Sequence, residues 1–162
     1  MLFRSTQAVV YNPASNDLYT ATKGAGAYLN DARLRVSKRL LLKSALVGTG
    51  FPFKEHAHLD AYLGMLRDIM QNSAGVRRAG SAALDLAFVA AGRLDTFWEI
   101  GLAPWDIAAG SLLITEAGGY IGDLQGGKDY LKSGNIVGGN LKLFEAMITT
   151  LAPHLTPALK AQ

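Results

Sequence analysis

An α/β layered domain with an antiparallel appendage is the fold class that this sequence predicts. Two patterns and one compositional fact point to it. Residues 7–36 alternate apolar and polar positions between clusters of turn formers, a strand signature. Beyond residue 45, short apolar runs alternate with stretches whose apolar residues recur at three and four, a helix signature. Hydrophobic residues are 49% of the 162 and charged residues only 18%, a balance that excludes intrinsic disorder. A chain of this length buries roughly 70% of its unfolded surface, and its 18 glycines ask for many tight turns.

The elements follow in order. Gln7 to Tyr11 reads as a strand, residues 12–17 (NPASND) as a turn, and Leu18 to Thr22 as a second strand. Gly24 and Gly26 turn the chain into Ala27–Leu29, and Asn30-Asp31 turn it again into Leu34–Val36, which completes a meander. Ala45–Val47 is a short buried-type strand. From His58 to Asn72, Leu59, Tyr62, Leu63, Leu66, Ile69 and Met70 form one apolar helical face. Val76 opens another short strand. Ser81 is the expected N-cap of an Ala- and Leu-rich helix that Gly92 stops. Leu94 to Ile100 is a strand, and Trp105 to Ala117 a helix ending at Gly118-Gly119. Tyr120–Asp123 and Ile136-Val137 are strands, Asn140 to Leu151 is a closing helix, and the residues after Pro153 are expected to be loose. The expected organisation is antiparallel strands over 1–44, an α/β domain over 45–155 and a tail over 156–162.

Net charge is +3 with a pI near 9.2, a weak argument for nucleic acid. The basic residues at 38, 39 and 43, and Arg77 with Arg78, read as solvated faces. The absence of cysteine excludes disulfides and Cys-ligated zinc. No apolar stretch approaches the roughly 18 residues of a membrane span. Met1–Arg4 lacks the layout of a signal peptide, so a cytoplasmic protein with no membrane partner is the default expectation.

Catalytic signatures are sparse. His56, His58 and His154 have no metal-site spacing; His56 and His58 alternate as on a strand, and surface histidines are the expectation. Gly24-Ala25-Gly26 precedes a strand pattern where a dinucleotide fingerprint needs a helix, so it reads as a hairpin loop. Gly48-Thr49-Gly50 lacks the lysine of a phosphate loop. More particular is residues 99–110 (EIGLAPWDIAAG), with a carboxylate ending a strand and another where a helix begins. Asp106 is either a first-turn acid serving free amides or a ligand for magnesium, a hard cation that takes carboxylate, phosphate and water oxygens. Gly80-Ser81-Ala82-Ala83 opens the neighbouring helix with small residues, which suits either tight packing or close ligand approach. Ligands in such sheets collect at the carboxyl ends of strands.

At these residues the chain resembles the inositol monophosphatase family, including its bacterial SuhB-like members. Residues 105–110 (WDIAAG) look like the family's C-terminal signature, with Glu99 seven positions before Asp106. Gly80–Ala83 matches its substrate-contacting segment, and residues 115–119, 10–13 and 24–27 match in order. The resemblance implies a fructose-1,6-bisphosphatase-like sugar phosphatase fold, here its C-terminal portion with part of the N-terminal antiparallel sheet. It implies magnesium-dependent hydrolysis of inositol 1-phosphate or a related phosphomonoester, lithium sensitivity and a homodimer. Asp106 would carry over as the metal ligand and Glu99 as a substrate-hydroxyl partner. Gly80, Ser81, Ala82 and Ala83 would line the sugar pocket, with Thr49 near it.

The family's other metal ligands come from an upstream Glu and an Asp-Pro-Ile-Asp-Gly-Thr segment, and this sequence has no Asp-x-x-Asp-Gly-Thr. The favoured expectation is a piece of a complete phosphatase, poorly active and weakly stable alone, over a short protein that kept the scaffold and lost the reaction. The resemblance also implies another role, as a non-catalytic component of a bacterial antitermination complex with RNA polymerase.

Overall fold

The structure is a computed structural model that describes residues 5–52 and 56–160. Met1–Arg4 and the last two tail residues lie outside the described residues. Four strands form an antiparallel meander in the order β1 (Gln7–Asn12), β2 (Asp17–Thr22), β3 (Gly26–Leu29) and β4 (Ala32–Arg33). Leu29 pairs with Ala32 across the two-residue turn Asn30-Asp31, whose φ values of 42° and 69° are those of a type I′ hairpin. The fourth strand therefore lies before Leu34–Val36, where the sequence reading placed it. Its partner is only four residues long, so pairing runs out: Leu34 N–H still donates to Ala27 O at 2.7 Å, but Val36 N–H goes to Ala117 O at 3.2 Å.

A second, mixed sheet has the order β6-β5-β7-β9-β8. Its strands are β5 (Leu46–Thr49), β6 (Gly75–Arg77), β7 (Thr96–Glu99), β8 (Tyr120–Gly122) and β9 (Ile136–Gly139). β5 runs parallel to both β6 and β7, and β9 is antiparallel to β7 and β8. The helices are α1 (Leu59–Asn72), α2 (Ala82–Ala90), α3 (Pro104–Glu116), the single turn α4 (Tyr130–Ser133), α5 (Leu141–Leu151) and α6 (Pro157–Lys160). α4 has no apolar period long enough to be read from sequence.

The layers follow from alternation on the central strand. Phe97 joins a core shared with α2, α3 and the meander, where Tyr19, Ala21, Leu86, Ile107 and Leu113 meet. Trp98, its neighbour, points the other way into a core with Tyr62, Met65 and Ile69 of α1 and Met147 and Leu151 of α5. The order is thus meander, α2 with α3, mixed sheet, α1 with α5. α3 lies between two sheets, which is why Ile107, Leu112, Leu113 and Ile114 can all be buried. Gly110 lets α2 and α3 close up: a Cβ there would meet Leu86 Cβ at 2.4 Å.

Long-range polar ties join motifs far apart in the chain. Glu116, at the end of α3, accepts from Gly24 N–H at 2.8 Å and Gly26 N–H at 3.0 Å. The glycine loop is indeed a hairpin loop, held by a carboxylate from another layer. Glu116→Ala removes both charge-assisted bonds and is expected to cost about 2 kcal/mol in urea denaturation; a loss below about 0.5 kcal/mol, the size of an ordinary surface change, would show that the tie is idle. Asp95 similarly accepts from Leu46 N–H at 2.6 Å and from Ser37 Oγ.

Three expectations need correction. The tail is not loose through its whole length: Leu159 of α6 is only 2% exposed and packs in the α1–α5 core, where burial of an apolar side chain favours order. His56 and His58 lie in a 3-10 turn rather than on a strand, and His58 is buried, so they are not both surface residues. His154 is half-buried, with Nε2 at 2.6 Å from Asp68 Oδ2 of α1. Among the described residues no helix is long and apolar enough to cross a membrane.

Candidate functional site

The three parallel strands end side by side, and a cavity of about 270 Å³ opens there. Gly50 follows the end of β5, Arg78 follows β6 and Glu99 ends β7; all three line it. The N-terminal ends of two helices complete the wall. α2 contributes Ser81, Ala82, Ala83 and Asp85 with Gly80 before them, and α3 contributes Asp106 with Leu102 from its approach. Strand ends and helix starts converge because each strand here leads into a helix that packs back on the sheet.

Each helix start has a local cause. Ser81 has extended backbone (φ −138°, ψ 102°), and its Oγ accepts from Leu84 N–H at 3.4 Å as the N-cap of α2. Pro104 occupies the first turn of α3, where a missing N–H costs nothing. Asp106 Oδ2 accepts from Ala103 N–H at 3.0 Å, so the first-turn-acid reading describes one of its oxygens. The same carboxylate lines the cavity, so the two sequence readings do not compete.

Of the residues singled out from sequence, Gly80, Ser81, Ala82, Ala83, Glu99 and Asp106 come together in this one cavity. Thr49 does not line it. Its side chain turns into the layer beneath, fully buried, donating to Gly50 O at 3.2 Å and lying 3.2 Å from Tyr62 Oη. Gly50 lines the wall instead, and glycine is needed: a Cβ would lie 2.1 Å from Glu99 Oε1. Arg78 was expected on a solvated face. It is exposed, yet its guanidinium lies 5.4 Å from the Phe51 ring centroid and it borders the cavity.

Asp85 was missed. The available signal was its isolation as the one charged residue in the nine of α2 (AALDLAFVA). It is 1% exposed, and its Oδ1 is buried without a hydrogen-bond partner. Burial raises its pKa to about 6 against a lowering influence from Arg78. Burial likewise raises Glu99 to about 7, reinforced by the charges of Asp85 and Asp106 and opposed by Arg78.

All polar side chains facing the cavity apart from Arg78 offer oxygen, a donor set suited to a hard cation that keeps much of its water. Among the described residues, no group of three or more His, Cys, Asp or Glu side chains could hold a metal by itself.

The layering, with its cavity at the ends of parallel strands, is the fructose-1,6-bisphosphatase-like α/β fold in part. Residues 4–156 match the sequence profile of the inositol monophosphatase family, and the chain belongs to that family. It is 54% identical over 159 residues to the Nus factor SuhB of Pseudomonas aeruginosa, a match covering 97% of this chain and 59% of the relative. It is 50% identical over 148 residues to the inositol-1-monophosphatase of Mesorhizobium japonicum, covering 91% of this chain and 56% of that one. The crystal structure of the extragenic suppressor protein suhB from Bartonella henselae superposes with a TM-score of 0.87 at 44% identity, over 90% of this chain and 56% of the other. The chain thus spans less than two thirds of the length of these relatives.

Proposed function

We propose that this chain carries the substrate-binding part of a magnesium-dependent phosphomonoesterase of the inositol monophosphatase type, acting on inositol 1-phosphate or a related small phosphomonoester. The observation that supports this reading most is the convergence of Gly80–Ala83, Glu99 and Asp106 on one cavity at the strand ends. Asp106 would hold the cation through a carboxylate oxygen. Magnesium, when bound, polarises the phosphoryl group and activates a water. Glu99 orients a ring hydroxyl, the small side chains at Gly80, Ala82 and Ala83 let the ring approach backbone amides, and Ser81 keeps α2 aimed at the cavity.

Phosphate release from inositol 1-phosphate, with and without magnesium, tests the reading beside Asp106→Asn. Magnesium-dependent release that falls at least ~100-fold in the variant would support the phosphatase chemistry and would overturn the view that this chain holds only the substrate-binding part, because the site would then be complete here. A folded chain that binds neither substrate nor magnesium would sink it. Binding without turnover would mean that the carboxylates completing the metal site lie in the family segment that this sequence does not contain.

A second reading has its own observation: relatives from Pseudomonas aeruginosa and Escherichia coli, 54% and 50% identical, are named Nus factors. In that role the chain would be a binding component of a transcription antitermination complex, contacting RNA or RNA polymerase. Direct RNA binding would weaken steeply with salt through counterion release, and no binding at low salt removes it.

A further inference from the structure

We propose that Asp85 and Glu99 form a coupled carboxyl pair sharing one proton in the cavity wall, so that the cavity meets its ligand with one neutral carboxyl as hydrogen-bond donor and one carboxylate as acceptor. The geometry supplies the reason. Asp85 is 1% exposed, its Oδ1 has no partner, and the rest of α2 is apolar. An ionised oxygen in that setting loses its hydration with nothing in return. Glu99 lies in the same wall, seated against Gly50 where no side chain fits. Two carboxylates lining one small cavity resist double ionisation.

The surrounding charges do not cancel this. Arg78, from the segment before α2, favours ionisation of both carboxyls, but burial is the larger influence on each. Asp106, from the first turn of α3, adds negative charge toward Glu99. Tyr62 of α1 is a phenol pushed above its ordinary value, chiefly by burial and in part by the negative charge of Glu99. Asp85 at about 6 and Glu99 at about 7 place the shared proton in the neutral range.

Such a pair suits a neutral polyol: one hydroxyl accepts from the protonated carboxyl while a neighbouring hydroxyl donates to the carboxylate. A second phosphate on the ligand would meet negative charge instead. This choice of ligand rests on the phosphomonoester reading, whereas the pairing itself does not.

The test is ¹³C NMR titration of the side-chain carboxyls in the full chain, over about pH 4 to 9, for the unmutated protein and Asp85→Asn. Glu99 is expected to titrate in the neutral range and to move back toward ordinary carboxylate values in Asp85→Asn. A Glu99 midpoint that starts in the ordinary range, or that the substitution leaves in place, overturns the proposal. If Asp85→Asn does not fold, the unmutated curves decide: a coupled pair gives two-step curves at both residues, and independent single steps refute it. No turnover is needed, so failure of the phosphatase reading and failure of the pairing remain distinguishable.

Discussion

Gly134→Ala is expected to cost about 3 kcal/mol or more of folding stability and to disturb the candidate site with it. Gly134 sits just after α4 with a φ of 72°, in the left-handed region that favours glycine. An added Cβ would lie 2.1 Å from Leu102 O and 2.8 Å from Leu102 N. Those are backbone atoms, so no side-chain rotation relieves the clash. The strand of chain that must move is tied there by Leu102 N–H donating to Gly134 O at 2.9 Å, and Leu102 lines the cavity. Gly118→Ala is the control. Its φ is 85°, but nothing lies within 4 Å of the added Cβ, so only the backbone cost of about 1 kcal/mol applies. Urea denaturation of both variants checks the contrast, and equal losses would contradict the clash argument.

The second large effect is a fall in stability between mildly acidic and mildly alkaline pH. Burial pushes the native carboxyls of Asp85 and Glu99 up to about 6 and about 7, from ordinary values of 3.8 and 4.5. Over the interval between, the folded chain holds protons that the unfolded chain has released, so rising pH favours unfolding. Their contribution is whole below the ordinary values and is lost as pH rises through about 6 and about 7. For Asp85 the loss is on the order of 3 kcal/mol. Asp17 works in the opposite direction, because its hydrogen bond from Arg93 lowers its pKa. Urea denaturation at about pH 5 and about pH 8 isolates the cavity's share when Asp85→Asn is compared with the unmutated chain. The variant should lose clearly less stability across that interval. Identical losses would show that Asp85 ionises as freely in the fold as in solution.

Much of the architecture was legible because it rests on local periodicity. The apolar positions of 58–72 are helical by their spacing, and α1 occupies Leu59–Asn72. Gly92, with φ 68°, and Ser81, capping Leu84 N–H, punctuate α2 where the residue types suggested. What escaped was either too short or decided from a distance. α4 is one turn, and β4 is a two-residue strand beyond which Val36 turns to Ala117 of another layer. Leu159 is ordered by a core that draws on β5, α1, β7 and α5, far off in the chain, which no tail composition reveals.

The candidate site divides along the same line. Residue type and spacing drew attention to Gly80–Ala83, Glu99 and Asp106, because small residues at a helix start and carboxylates at strand and helix ends are local features, but they left capping and tight packing open, and the family resemblance supplied the site roles. The parallel order β6-β5-β7 is what brings Gly50, Arg78 and Glu99 to one edge, and neither it nor the burial of Asp85 can be read along the chain. Local periodicity reports which face of an element is apolar. Only packing of the layers sets which groups lose their water, and with it the protonation of the carboxyls that a ligand would meet.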